Sequence, residues 1–114
     1  MGLNGPSLGS LNDVLWHYTV TFTNRTTDQF DEVVIFYSTR DGSINMVREL
    51  NVRPKDRRAF DLGECTDMVE YALGVFIGTT RVARFPVTGS MNRQLASQFN
   101  PTDHFLCEDS WYIE

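Results

Sequence analysis

A chain of 114 residues is long enough for one domain that buries roughly two-thirds of its unfolded surface, so a core is available without a metal or a covalent staple. With 41% apolar and 22% charged residues the composition is that of a globular domain; it disfavours disorder, and no apolar run approaches the ~18 residues of a membrane-spanning helix. The formal charge of −5 argues against wholesale binding to nucleic acid or to an anionic membrane, which leaves local clusters of charge as the informative feature.

Residues 1–12 carry neither the basic nor the apolar region of a signal peptide and read as a flexible lead-in, with the domain expected over 13–114. Pro6 stands where an N-myristoylation motif requires Ser or Thr. From Val14 to Asn24 apolar and polar residues alternate: Trp16, Tyr18, Val20 and Phe22 share one face, and His17, Thr19, Thr21 and Thr23 the other. That is a half-buried strand. After the turn formers of Asn24–Gln29, the run Glu32–Thr39 is apolar on both faces and reads as a central strand. Asp41-Gly42 then marks a hairpin into a third strand over Ile44–Val52, which places Ile44, Met46, Leu50 and Val52 on one face and is interrupted by Arg48, the mark of an edge.

Pro54 presets a turn in Arg53–Arg57, and a short strand follows over Ala59–Leu62. Two apolar runs, Val69–Ile77 and Val82–Val87, surround Gly78-Thr79-Thr80-Arg81 and form a hairpin whose first strand is expected mid-sheet, with Tyr71, Leu73, Val75 and Phe76 in the core. Pro86 cannot donate to a ladder and belongs at an edge, a bulge or a strand end. Ser90–Phe99 fits a loop with one helical turn, and His104–Ile113 reads as a last strand with a kink at Glu108-Asp109-Ser110. Seven or eight short strands without an amphipathic helix predict an all-β fold: a single small β-sandwich of antiparallel strands, immunoglobulin-like or a related Greek key.

No catalytic residues emerge from the sequence. His104 and Cys107 fall on opposite faces of a strand and do not share a tetrahedral ion, so neither a metal site nor a cofactor is assigned. A Cys–His pair would need a distant oxyanion hole, and nothing Gly-rich supplies one. Asp41–Asn45 imitates the start of a calcium loop, but Met46 replaces the required Gly and Val52 the bidentate Glu. Cys65 and Cys107, 42 positions apart, are either a disulfide worth on the order of 4 kcal/mol on the chain-entropy model or two thiols. Two cysteines do not fix the compartment, and the chain fits a cytoplasmic protein or the mature domain of an exported one. Asn24-Arg25-Thr26 is an N-glycosylation triplet, relevant in a secreted eukaryotic protein.

The strongest departure from a uniform surface is basic. Arg48, Arg53, Lys55, Arg57 and Arg58 gather half of the ten basic residues in one short segment of an acidic chain. Arginine forks suit carboxylates, so this segment is expected to dock an acidic protein, or this protein's own acids such as Glu108 and Asp109 in a homo-oligomer. The alternative is a carbohydrate-binding module with Trp16, Trp111 and Tyr112 as a platform for a sugar ring. A non-enzymatic interaction module without nucleic-acid binding or membrane insertion is the leading reading, and a metal-binding protein or small hydrolase comes third.

Overall fold

The computed structural model describes residues 16–86 and 107–114. The lead-in over 1–12, the helical turn within 90–99 and the position of His104 lie outside the described residues. The alternating segments fold as β1 (His17–Asn24), β2 (Phe30–Thr39), β3 (Ile44–Val52), β4 (Arg57–Glu64), β5 (Met68–Ile77), β6 (Thr80–Phe85) and β7 (Glu108–Ile113), with no helix among the described residues. A three-stranded sheet of order β4-β1-β7 faces a four-stranded sheet of order β3-β2-β5-β6. The two pack as a β-sandwich.

Pairing follows the turns. At the Asp41-Gly42 corner Gly42 adopts φ 87°, which glycine tolerates without a Cβ clash. The Asp41 carboxylate accepts from the Ser43 N–H at 2.9 Å and the Thr39 hydroxyl at 2.7 Å, bonds that hold it below the usual carboxylate range. The hairpins β2–β3 and β5–β6 then lie side by side in one sheet, while β4, between them in sequence, crosses to the other. Antiparallel pairing dominates, but β1 and β7 run parallel, with Val20 beside Asp109 and Phe22 beside Trp111. Parallel neighbours require a long connection, and these two strands stand at opposite ends of the chain.

The core is the space between the sheets. Val20 and Phe22 of β1, Val33 and Ile35 of β2, Leu73 and Val75 of β5, Phe85 of β6, and Trp111 and Ile113 of β7 are buried there. The Phe85 and Trp111 rings stand 5.0 Å apart and join the two sheets. Three expectations change. Phe76 lies on the outer face of β5 and is only half-buried, because positions 71, 73 and 75 take the inner face and 76 cannot share it. Trp16 precedes β1 and is 41% exposed, whereas Tyr18 is the first residue of that face to be buried. Val52 parts from Ile44, Met46 and Leu50: the left-handed conformation of Asn51, φ 55°, turns the chain so that Val52 goes under the sheet while the other three stay outside.

Cys65, just past β4, and Cys107, just before β7, stand at disulfide distance with Cα atoms 5.9 Å apart. They clip the two edges of the three-stranded sheet at the end where β1 begins. The oxidised protein should therefore show no free thiol on denaturation, and reduction should lower the melting temperature; two titratable thiols in unreduced protein would contradict the bridge. Val75→Asp should leave no cooperative thermal transition, since the carboxylate would enter a fully buried apolar site without a partner.

Candidate interaction surfaces

Register maps the outer face of the four-stranded sheet row by row. Met46, Phe36 and Ala72 form one row; Arg48, Val34, Gly74 and Arg84 the next; Leu50, Glu32, Phe76 and Arg81 the third. Ile44, Ser38 and Glu70 form the row at the opposite side of the first. A Cβ on Gly74 would stand 3.1 Å from the Phe76 ring, so the missing side chain is what lets that ring lie along the sheet. Phe36 is 50% exposed, Ile44 70%, Met46 49% and Leu50 50%. Arg48 donates to Glu32 at 3.2 Å across the two strands. A shallow hollow of about 250 Å³ is lined by Phe36, Ser38, Ile44, Glu70, Ala72 and Arg84, among others.

The outer face of the three-stranded sheet has the opposite chemistry. Thr19, Thr21 and Thr23 of β1 stand beside Asp61, Ala59 and Arg57 of β4 and Glu108, Ser110 and Tyr112 of β7. His17 Nδ1 lies 2.9 Å from the Asp61 carboxylate, which this contact and the Gly63 N–H hold below the usual range. The Arg25 guanidinium sits 4.0 Å above the Tyr112 ring. Trp111 is only 2% exposed, its ring in the core, so Trp16, Trp111 and Tyr112 do not assemble into a sugar platform.

The basic segment is divided. Arg58 is drawn inward: it donates to Glu49 at 2.8 Å, to Asp56 at 3.0 Å, and to the carbonyls of Leu50 and Asn51 at 3.3 and 3.1 Å. Asp56 is held below the ordinary carboxylate range by the Arg53 N–H and then by Arg58. Arg53, Lys55 and Arg57 stay exposed at the β3–β4 corner, and Arg48 belongs to the apolar outer face. Of the acids expected to meet this segment in a homo-oligomer, Glu108 is exposed and Asp109 is buried.

Asp109 is instead the centre of the polar interior. Its Oδ2 accepts from the Tyr18 hydroxyl at 2.7 Å and the Tyr71 hydroxyl at 2.5 Å, and Trp111 Nε1 donates to the Tyr71 oxygen at 2.7 Å. Tyr18, Asp109 and Trp111 come from one sheet and Tyr71 from the other. Burial, followed by the Asp109 hydrogen bond, pushes both tyrosine hydroxyls far above their ordinary range, so they remain donors at neutral pH. The signal was available in the sequence: Cys107, Asp109, Trp111 and Ile113 recur at period two, which puts Asp109 on the apolar face. Asn24 is buried as well. Its Nδ2 donates to the carbonyls of Asp28 and Val52 and its Oδ1 accepts from Thr26, so the glycosylation triplet serves as a structural turn. Among the described residues no group of three or more His, Cys, Asp or Glu side chains gathers to hold a metal.

Comparison with protein-family models, curated proteins and solved structures returned no match. Function rests on the surfaces themselves.

Asp109→Ala should destabilise the domain, because the Tyr18 and Tyr71 hydroxyls lose a buried acceptor at about 1–3 kcal/mol each. Chemical denaturation measures it, and Asp109→Asn, which keeps an acceptor, should cost less. The raised tyrosines also set an alkaline limit. The unfolded chain ionises near its ordinary tyrosine value of 10.0 while the folded chain keeps both protons, so stability is intact below that pH and falls above it. Tyr18→Phe and Tyr71→Phe should each flatten that fall in a pH series of melting temperatures.

Proposed function

We propose that the domain is a non-enzymatic interaction module that docks another protein on the outer face of its four-stranded sheet. The supporting observation is the set Phe36, Ile44, Met46 and Leu50, each 49% or more exposed and gathered on adjacent strands of one face. Single exposed apolar residues are ordinary on a protein surface, whereas a contiguous group marks an interface. Its surroundings fit that use. Glu32 and Arg48 cross the apolar rows as an ion pair, while Glu70, Arg81 and Arg84 lie toward the β5–β6 side, giving an apolar centre with a charged margin.

The exposed Arg53 and Lys55 lie at the corner beyond Leu50 and Val52, with Arg57 next to them at the start of β4, beside Thr23. They extend the charged margin, and in this reading they orient an acidic partner and quicken its arrival rather than supply the affinity. Carbohydrate binding is the weaker reading, since Trp111 lies in the core.

The test is comparative capture. Phe36→Lys should leave the melting temperature nearly unchanged, because half of this side chain already meets water, and should lower partner affinity at least tenfold. Thr21→Lys, on the opposite face, should leave capture intact. Proteins retained equally by wild type, Phe36→Lys and Thr21→Lys would remove this face from consideration. Arg53→Glu with Arg57→Glu should slow association in a salt-dependent way while leaving dissociation little changed.

A further inference from the structure

We propose that the chain pairs with a second copy of itself along the edge of β3 that no described strand occupies, antiparallel and two-fold symmetric about Met46. The inference stands apart from the docking face above, since it rests on backbone groups. β3 is terminal in the order β3-β2-β5-β6, so among the described residues β2 alone pairs with it, on one side.

Two hydrogen bonds reveal what the other side presents. Ser43 accepts from the Thr39 N–H at 3.1 Å, which points the odd-numbered positions of β3 toward β2. Leu50 points its carbonyl away from β2, where Arg58 reaches it at 3.3 Å. In an antiparallel ladder the N–H and C=O of one residue point the same way. Ile44, Met46, Arg48 and Leu50 therefore turn both groups to the open side, and the register with β2 runs without a shift between them.

Arg58 closes one end of that edge. Its guanidinium covers the carbonyls of Leu50 and Asn51 and is anchored by Glu49 and Asp56. Asn51, at φ 55°, also leaves strand geometry. The stretch left for a new strand is Ile44 to Arg48.

Side chains choose the register. Centring the two-fold on Arg48 would set two guanidinium groups directly opposite each other, which is destabilising. Centring it on Val47 would bring the guarded Leu50 against Ile44. Centring it on Met46 uses the open stretch alone: Met46 faces Met46 of the second copy, Ile44 faces Arg48, Asn45 faces Val47, and no like charges meet. Met46 and the Ile44–Arg48 pairs exchange their open N–H and C=O groups. Within each copy Met46 is flanked by Phe36 and then Ala72, so the two copies share one apolar row across a continuous sheet. The seam is short, and the dimer is accordingly reversible and concentration-dependent. Each copy carries a formal charge of −5, so salt, which screens that repulsion, should strengthen the pairing.

Sedimentation velocity over a concentration series of the oxidised protein tests this. A monomer–dimer equilibrium that moves toward dimer with concentration and with salt is expected. Met46→Lys places two ammonium groups opposite each other and should raise the dimer dissociation constant at least tenfold, with circular dichroism unchanged. Met46→Pro removes the N–H at the two-fold centre and should do the same; where it disturbs the fold, the Lys variant decides. Under mild oxidation Met46→Cys should cross-link between copies and Arg48→Cys should not. Phe36→Lys, one strand inward, should still dimerise, which separates edge pairing from packing of the outer faces. A protein monomeric at every concentration, a dimer indifferent to Met46→Lys, or cross-linking through position 48 in place of 46 would overturn the proposal.

Discussion

The buried carboxylate of Asp109 is the constraint on which the arrangement of the two sheets depends. Taking a carboxylate out of water costs several kcal/mol unless hydrogen bonds replace its hydration, and here tyrosine donors come from both sides of the sandwich: Tyr18 from β1 and Tyr71 from β5. A donor from each sheet fixes their offset. Asn24 does the corresponding work at the far end of β1, where its amide donates to the carbonyl of Val52 at 3.2 Å. A slip of β1 by one residue would bury Thr19, Thr21 and Thr23 and strand both polar pins, so its register is specified at each end. The Cys65–Cys107 pair lies at the Asp109 end, two positions before the carboxylate, and keeps β7 beside β1 while Tyr71 reaches across.

Much of this sandwich is legible as period-two alternation. Thr19, Thr21 and Thr23 announce a solvent face, Asp41-Gly42 announces the β2–β3 turn, and Arg48 announces an edge. What alternation omits is neighbourhood. Nothing in Glu108–Ile113 says that this strand lies parallel to β1, because side-chain faces are fixed by the strand itself and partners by the path of the whole chain. Phe76 departs from the expected core position for a related reason: an apolar residue on the second face of a central strand looks the same whether another layer covers it or water does. Asp109 was hidden by its company, since Glu108-Asp109-Ser110 has the composition of an exposed kink and only the spacing to Trp111 and Ile113 contradicts that.

The two outer faces differ because the two sheets solve the same problem differently. The three-stranded sheet turns hydroxyls and ion pairs to water, as a strand covered on one side ordinarily does. On the four-stranded sheet, Phe36, Ile44, Met46 and Leu50 hold positions that equivalent alternation would give to polar residues. None of them is needed for the core, where Ile35, Leu73 and Val75 already fill the space beneath. Apolar residues that contribute nothing to the interior, set on the larger sheet, are the observation on which the proposed docking face rests.

The basic segment carries the same division of labour into the backbone. In sequence its five cations look like one patch, yet Arg58 spends its donors on the end of β3, satisfying carbonyls that a strand edge would otherwise offer to another chain. Arg48 lies within the part of the edge that no described residue covers, and a charge there ordinarily discourages pairing. Its effect depends on where a second strand is centred. A two-fold through Arg48 itself is repulsive, while a two-fold through Met46 separates the two guanidinium groups and sets each against an Ile44. A charge placed two residues from the centre of symmetry thus selects among registers, where a charge at the centre would have closed the edge altogether.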